Sequence, residues 1–369
     1  MDRRDFIRIA GGAATLAAVG GMGWAAFDTV EKPPAFLSAC NLNPAPTSFG
    51  AAALDRTGRI LWRQSMQARS HEVAVDPARK ICAAVDRKPG ATITICDLRS
   101  GDTIRRLAAA DGWHFDGHAV FSADSTILYA TEGRAGDELG GVGIYRLADG
   151  MRLGAFSTAG IEPHQMIWSA DRKHFIVANG GVIERNTDAE IESGLVAIDA
   201  ATGALIAKYR LDAGFETLSF RHIAATRANG VLIGMQDQDR ASDLRPIVAI
   251  TTQQGEFAFF ETPEATLDRM QGYIGSVAID PEARVVVATA PHGGLAGFWR
   301  LADLKFLGSV DLADGCGAAA TGRPGEFLLT SGRGDRILVG FDVDGLMTQK
   351  VLAHPADGLP RWDNHLTLV

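Results

Sequence analysis

The chain has 369 residues, a formal net charge of −8, 46% apolar residues and 22% charged residues. This is the composition of an ordinary globular protein. The acidic balance and the lack of a Lys/Arg stripe with interleaved aromatics argue against a nucleic-acid-binding surface. The sequence also lacks CxxC, CxxCH, phosphate-loop, GxSxG and HExxH motifs, so the common catalytic and metal-binding templates are excluded.

Residues 1–30 predict an export signal rather than part of the fold. Arg3 and Arg4 precede Phe6, Ile7 and a weakly hydrophobic run rich in Gly and Ala, which resembles a twin-arginine signal. We therefore expect a periplasmic protein that is exported already folded. One alternative is an N-terminal transmembrane anchor. Another is lipidation at Cys40, although charged residues separate it from the apolar run. No later apolar run reaches 18 residues, so we expect no transmembrane domain in the mature protein.

Residues 31–369 predict a single all-β domain made of repeated four-strand units. Short β-rich runs alternate with Asp/Gly turns, and similar segments recur about every 40–50 residues, which is typical of a β-propeller. Seven copies predict seven blades. Six are expected near 69–110, 113–158, 160–211, 216–260, 271–310 and 314–353. The seventh should combine a C-terminal strand at 362–369 with N-terminal strands at 36–40, 50–54 and 60–65, so that the ring closes without open sheet edges.

Five of the nine histidines occupy nearly the same point of the repeat. A propeller brings equivalent positions of its blades to one end of a single axial channel. Neutral imidazole is a common ligand of transition metals, so this pattern predicts a site for a metal such as iron or copper, or one that contacts haem. The candidate ligands are His71, His118, His164, His222 and His365.

A structural role for these histidines is the main alternative, since repeats also reuse residues that tie loops to strands. Their register raises a second question. His118 and His222 lie four residues before a turn, whereas His71 and His164 lie five before one. Successive side chains of a strand point to opposite faces, so the two pairs need not converge.

The four cysteines raise the question of disulfides in an exported chain. Cys82 and Cys96 fall on consecutive strands and should oppose each other directly, within reach of a disulfide at strained geometry. The alternative is that both are small buried apolar residues. Cys40 and Cys316 have no partner that the sequence reveals.

The chain contains the motifs Glu162-Pro163-His164, Asn179-Gly180-Gly181, Ser219-Phe220-Arg221-His222, Tyr273-Ile274-Gly275, Pro291-His292-Gly293-Gly294, Asp314-Gly315-Cys316-Gly317 and Trp362-Asp363-Asn364-His365. Together these motifs resemble an exported bacterial family that is known only as a domain of unknown function. The resemblance covers nearly all of the mature chain and implies periplasmic propellers. It also implies gene clusters for iron acquisition, with imelysin-type and di-haem peroxidase-like proteins as partners. His292 stands where the family usually has arginine, and residues 182–188 replace a different polar insertion.

Polar residues of these motifs supplement the histidines. Arg221 could clamp an anionic ligand, or it could pair with Glu162 or Glu132 to join adjacent blades. Asn179 is expected in a left-handed turn, and Tyr273 either at the channel mouth or in a gap between blades. The further supporting candidates are His292, Cys316, Asp363 and Asn364.

The sequence therefore favours a binding or scaffold protein in iron or metal acquisition, with its ligand or partner at the channel mouth. A metal-dependent enzyme at the same site is the alternative, either an oxidoreductase or a lactonase-like hydrolase. A hydrolase should bring carboxylates such as Glu132 or Glu162 to a metal-bound water. In a third hypothesis, the protein is purely a platform for other proteins and all the histidines are structural.

Overall fold

The structure is a computed structural model that describes residues 33–369 apart from 46, 183–191, 227–229, 240–243, 252–254 and 353–358. The predicted export signal at 1–30 lies outside the described residues, as does most of the rewritten segment at 182–188. No helix among the described residues is long and apolar enough to span a membrane.

The described chain forms seven antiparallel sheets arranged as the blades of a ring. The chain begins in the closing blade, blade 7, with β1 (Phe36–Asn41), β2 (Phe49–Leu54) and β3 (Ile60–Ser65). Blade 1 contains β4 (Ser70–Val75), β5 (Ile81–Asp86), β6 (Thr92–Asp97) and β7 (Thr103–Ala108). Blade 2 contains β8 (Trp113–Phe121), β9 (Ile127–Arg134), β10 (Leu139–Arg146) and β11 (Arg152–Ile161). Blade 3 contains β12 (Pro163–Trp168), β13 (His174–Asn179), β14 (Gly194–Asp199) and β15 (Leu205–Tyr209).

The second half of the ring repeats this order. Blade 4 contains β16 (Leu218–Ala225), β17 (Val231–Asp237), β18 (Val248–Thr251) and β19 (Phe257–Phe259). A short helix, α1 (Glu264–Arg269), precedes blade 5, which contains β20 (Ser276–Ile279), β21 (Val285–Ala290), β22 (Leu295–Arg300) and β23 (Phe306–Asp311). Blade 6 contains β24 (Gly315–Ala320), β25 (Glu326–Ser331), β26 (Arg336–Phe341) and β27 (Met347–Val351). The chain then returns to blade 7 through β28 (Arg361–Trp362) and β29 (Thr367–Leu368).

The predicted all-β, seven-bladed propeller is confirmed, and so is its closure by both ends of the domain. Strand β1 pairs with β2 on one side and with β28 and β29 on the other. The expected continuous strand at 362–369 is wrong in detail, because it is interrupted between β28 and β29. The interruption contains Asp363, whose carboxylate accepts a hydrogen bond from the Asn364 backbone amide, and it also contains His365.

Burial is lowest in the outermost strand of each blade. In blade 4, every residue of β17 is buried, because this strand packs between two neighbouring blades. The outer strand β15 of blade 3 is largely exposed. The apolar core is therefore distributed around the ring between adjacent blades, and Trp299, Phe220 and Phe260 are among its largest buried side chains.

Register shifts in the innermost strands position the channel residues. In β4 the shift spans Ser70 to Glu72, and in β16 it spans Phe220 to His222. The shift in β8 runs from Phe115 to Ala119, and the one in β12 runs from Pro163 to Met166. Each of these four irregularities includes or borders a channel histidine, and a bulge interrupts the alternation of side chains between the two faces. Counting residues back from the turns assumes a strand without bulges. The expectation that the two pairs of histidines point to different faces is therefore wrong.

The cysteine pair has the expected register. Cys82 and Cys96 are directly opposed on β5 and β6. Both are buried free thiols in the structure, as are Cys40 and Cys316.

Candidate metal site in the axial channel

Five imidazole rings from five blades meet at one end of the innermost strands. His365 lies between β28 and β29, and the other four lie on β4, β8, β12 and β16. The ring centroids of His71 and His118 are 4.9 Å apart, and those of His164 and His222 are 5.0 Å apart. His365 lies 4.7 Å from each of His71, His118 and His222. Residues that are far apart in sequence thus form one compact histidine cluster, defined as His71, His118, His164, His222 and His365.

Burial favours the neutral form of four rings of this cluster. Burial lowers the pKa of His71 to about 4, although the Asp363 carboxylate acts in the opposite direction. Burial together with the charges of neighbouring histidines holds the pKa values of His164, His222 and His365 well below the usual range. Neutral imidazole is the form that binds a metal ion, so these four rings need no proton loss near neutral pH.

Several ring nitrogens of the cluster are buried without a hydrogen-bond partner among the described residues. They are Nδ1 and Nε2 of both His71 and His222, and Nε2 of His118, His164 and His365. Buried polar atoms are normally satisfied, so an unpaired set that converges on one point calls for an explanation such as an ion. The potential donor atoms of His71, His118 and His365 lie within 4.8 Å of one another, as do those of His118, His164 and His222.

Glu72 fixes the orientation of the ring that both triads share. Its Oε2 atom lies 3.0 Å from Nδ1 of His118 and also accepts a hydrogen bond from the Ala119 amide at 3.3 Å. A carboxylate at Nδ1 favours the tautomer that leaves Nε2 free for a metal and increases the basicity of the ring.

The same contact between adjacent blades recurs with uncharged residues. Gln165 follows His164 in sequence and accepts a hydrogen bond from the Ile223 amide, directly after His222, at 2.8 Å. Ser276 of blade 5 accepts a hydrogen bond at 3.4 Å from the Ala318 amide of blade 6. A polar side chain at this repeat position therefore links each of these three blade pairs, and only Glu72 adds a contact to a histidine ring.

Asp363 supports the opposite side of the cluster. Its carboxylate accepts two hydrogen bonds from Arg69, at 2.5 and 3.1 Å, and Oδ1 lies 3.9 Å from Nδ1 of His71. Burial tends to raise the pKa of Asp363, but the nearby His71 ring and the hydrogen bonds and positive charge of Arg69 hold it below its ordinary value. The closing blade thus contributes both a histidine and a charged residue that supports the site.

A cavity of about 340 Å³ lies against the histidine cluster. His164, which is only partly buried, forms part of its wall, whereas His118 is fully buried behind it. The cavity is lined by His71, Arg87, Lys88, Pro89, Asp116, Glu162, His164, Val182, Arg221, His222, Gln236, Tyr273 and Asn364.

Ion pairs organise most of the charge around this cavity. Arg221 donates to Glu162 at 2.7 Å, which agrees with the blade-sealing interpretation of this arginine. The Nζ atom of Lys88 lies 2.7 Å from Oε2 of Glu138 and 3.4 Å from Oε1 of Glu162. Each of these carboxylates thus has a cationic partner.

A buried His–Asp pair lies beside this network. His114 Nε2 is 3.1 Å from Oδ1 of Asp116. The contact with Asp116 raises the pKa of His114, and burial raises the pKa of Asp116. This pair faces the cavity through Asp116 and is separate from the histidine cluster.

The structure places some predicted supporting residues away from the cavity. Glu132 does not pair with Arg221; it accepts hydrogen bonds from Arg152 and the Tyr145 hydroxyl within blade 2. Asn179 donates to the Thr158 carbonyl, in a structural role. Cys316 is buried and donates to the Asp314 carbonyl at 3.0 Å.

Two other candidates meet at the cavity rim. Tyr273 lines the cavity and stacks against His292, with ring centroids 4.1 Å apart. His292 is therefore a neighbour of the cavity wall and is not a member of the histidine cluster.

The sequence did not reveal the residue that orients His118 or the charged residues that line the cavity. Glu72 directly follows a candidate histidine, and this polar position after the repeat histidine was an available signal. Arg87 and Lys88 follow β5, and loops at that end of a blade lie on the same side as the starts of the innermost strands. Asp116 precedes His118 by two residues. In a regular strand, His114, Asp116 and His118 would share one face, and nothing in the sequence indicates the bulge that separates them.

Comparison with known proteins identifies the family. The profile of DUF1513, described as a protein of unknown function, matches residues 64–369. The chain belongs to the DUF1513 family. The resemblance to a domain of unknown function is thereby confirmed, whereas the export and gene-cluster associations expected from that resemblance remain predictions. A search of curated proteins finds no significant match.

Solved structures share the propeller fold with this DUF1513 chain at low sequence identity. Hydrazine synthase of Kuenenia stuttgartiensis aligns with a TM-score of 0.62 and 12% identity, covering 91% of this chain and 100% of that one. A chain of a mitotic checkpoint complex crystal structure aligns with a TM-score of 0.57 and 13% identity, covering 94% and 90% of the two chains. At these identities the likeness shows the fold alone.

Proposed function

We propose that this DUF1513 protein is a metal-binding propeller that holds one transition-metal ion in its axial channel. The observation that carries the proposal is the convergence of five imidazoles, each with at least one buried ring nitrogen that has no partner among the described residues. All-imidazole donor sets suit copper, iron, zinc and nickel better than magnesium or calcium. Donor atoms around a tetrahedral ion lie about 3.3 Å apart, so small ring rotations would close each triad on an ion.

A single ion is the stoichiometry that the donor atoms of the histidine cluster support. His118 belongs to both triads, so the two sets share a ligand. Two ions in this space would lack a carboxylate bridge, since Glu72 is already engaged with Nδ1 of His118 and Asp363 with Arg69.

The arrangement favours binding over hydrolysis. A hydrolase of the lactonase kind needs a carboxylate that reaches a metal-bound water. Glu132 is bonded within blade 2, and Glu162 is paired with Arg221 and Lys88. We therefore propose storage, carriage or sensing of the metal as the role of the site.

Titration of the metal-free protein with Cu²⁺, Zn²⁺, Fe²⁺ and Ni²⁺ tests this proposal. We expect one equivalent of at least one of these ions to bind. The double variant His118→Ala/His222→Ala should lose that binding, whereas His174→Ala, which removes a partly exposed histidine paired with Asp171, should retain it. A folded wild-type protein that binds none of the four ions would contradict the proposal and leave a purely structural role for the cluster.

We further propose that the protein works in the periplasm, in iron or related metal acquisition, after export by the twin-arginine route. Arg3, Arg4 and the Gly/Ala-rich run that follows support the export route. Imelysin-type and di-haem peroxidase-like proteins are the proposed partners, on the strength of the family resemblance. Replacing Arg3 and Arg4 with lysine should retain the protein in the cytoplasm; unchanged export would contradict the route.

A further inference from the structure

Arg87 is an unusual residue of the cavity wall. Its side chain is half-buried and lines the cavity beside His71 and His222. Among the described residues, no carboxylate forms an ion pair with its guanidinium. The neighbouring cation Lys88 is neutralised by Glu138 and Glu162, whereas Arg87 has no counterion in the part of the chain that the structure describes.

Arg221 supplies a second set of donors. This residue is only 1% exposed, and one of its terminal nitrogens donates to Glu162. Its Nε and Nη2 atoms are buried without a hydrogen-bond partner among the described residues. A fully buried guanidinium with two unused donors is costly, because the water that would satisfy them has been removed.

The proposed metal ion adds positive charge to the same place. The five histidines are neutral ligands, and the nearby carboxylates Glu72 and Asp363 are engaged with His118 and Arg69. A divalent ion in this donor set would keep its charge in a buried site next to Arg87. Buried charge is stable only when it is compensated.

We infer that the cavity binds a small carboxylate anion, held by Arg87 and the free donors of Arg221, which also reaches the metal in the histidine cluster. This inference rests on the proposed function, because the metal is one of the groups that attract the anion. Arginine binds carboxylates through two parallel hydrogen bonds, which a spherical halide cannot accept. Tyr273, Gln236 and Asn364 add neutral polar groups to the wall.

The cavity size favours a small multi-carboxylate over a single acetate-sized group. Its volume of about 340 Å³ is larger than one carboxylate requires. It falls at the lower end of small-molecule sites, which span roughly 300–1,000 Å³. A di- or tricarboxylate could place one carboxylate on the metal and another on the arginines, so the ligand class is a metal-chelating small carboxylic acid.

Calorimetric titration with malonate, acetate and inorganic phosphate tests the inference. We expect Zn²⁺-loaded protein to bind malonate at least about tenfold more tightly than metal-free protein does, and more tightly than it binds acetate or phosphate. Arg87→Gln should weaken malonate binding about tenfold while Zn²⁺ binding in anion-free buffer is retained. Arg87→Lys should be intermediate, since it keeps the charge and loses the paired donors. The exposed Arg99→Gln substitution is the matched control and should have no effect.

The outcomes separate this inference from the metal proposal. Failure of Zn²⁺, Cu²⁺, Fe²⁺ and Ni²⁺ to bind in anion-free buffer would contradict the metal site, while malonate binding to the metal-free protein that depends on Arg87 would still support an anion site. Malonate binding that is absent from both forms, or unchanged in Arg87→Gln, would overturn the anion site. Preference for phosphate over malonate would overturn the carboxylate class.

Discussion

Each histidine of the cluster has at least one buried ring nitrogen without a hydrogen-bond partner among the described residues. This combination is costly for a protein that uses the residues only to hold blades together, because unsatisfied buried polar atoms oppose folding. Glu72 determines which nitrogen of His118 remains without a partner. It binds one nitrogen of His118 and leaves the other facing the cluster.

Stability of the metal-free protein should depend on pH through His71. The folded protein keeps this ring neutral, with a pKa of about 4 against an ordinary value of 6.5. Between pH 6.5 and pH 4, the unfolded chain binds more protons at His71 than the folded protein does. The contribution of His71 to the free energy of unfolding is therefore greatest above pH 6.5 and decreases as the pH falls toward 4. Between pH 7.5 and 5.0, His71 alone should lower the free energy of unfolding by about 2 kcal/mol. Denaturant unfolding at pH 7.5, 6.0 and 5.0 measures it.

Two nearby carboxylates have to be separated from this effect. Burial raises the pKa of Asp86 to about 6, which favours the folded state as pH falls and so acts in the opposite direction. The pKa of Asp363 is lowered, so its contribution is lost only below the ordinary aspartate range. The difference between wild type and His71→Gln isolates the histidine. An identical pH dependence in the two proteins would contradict the assignment.

Substitution of Glu72 tests the orientation of His118. In Glu72→Gln the amide oxygen can still accept the Ala119 hydrogen bond, but the negative charge beside the ring is lost. Loss of such a carboxylate partner typically lowers metal affinity 10–100-fold. We expect a decrease of at least about tenfold for the best-bound ion in a competition assay, with little change in stability. Glu282→Gln, at an exposed position, is the control; equal affinities of the two variants would contradict the role of Glu72.

At the scale of elements, bulges in the innermost strands turn separate histidines toward one point. Gly117 shows how closely the backbone must approach a histidine ring of the cluster. It has a φ of +99°, and a Cβ there would lie 2.7 Å from the His71 ring. The backbone of blade 2 thus packs directly against a ring from blade 1.

Gly117→Ala should disturb both folding and the site. The positive φ disfavours a side chain by roughly 1–2 kcal/mol, and the contact with His71 must also be relieved. We expect lower stability and at least a several-fold loss of metal affinity. Gly112→Ala is the matched control, because it has a φ of +77° with no atom within 4 Å of the added carbon. It should lose stability and retain metal affinity. Equal metal affinities in the two variants would show that the packing does not position His71.

The strands could largely be predicted from the sequence, whereas the bulges that set their register could not. Alternating residues and Asp/Gly turns are local signals, so the strands of blades 1 to 6 fall close to their predicted bounds. Bulges such as the one at His71 depend on the neighbouring blade, and the partners Glu72 and His118 are brought together only by the ring. For the same reason, the sequence did not reveal Arg87 as part of the cavity.

At the scale of the whole molecule, the closing blade links ring stability to the site. Cys40 of β1 opposes Trp362 of β28, and the next residues of the chain include Asp363 and His365. Closure by a C-terminal strand was predictable, because the last repeat lacked its outer strands. The interruption that holds His365 was not, since it depends on contacts with residues such as Arg69.

Trp362→Ala should weaken the closure. Trp362 is 3% exposed and packs with apolar residues of blades 6 and 7, so its truncation should cost about 3–5 kcal/mol. Leu368→Ala, on the same closing segment but 39% exposed, should cost much less. Chemical denaturation of both variants measures the difference. Equal small losses would show that β28 is not needed to hold the ring together.

The central claim is that the histidine cluster holds a transition metal in the mature protein. Its most direct test is elemental analysis of protein exported through its own signal, beside the His118→Ala/His222→Ala variant prepared in the same way. The account predicts close to one equivalent of a transition metal in the wild type and a loss of most of it in the variant. A well-folded wild-type protein without metal, or the same metal content in both proteins, would contradict it.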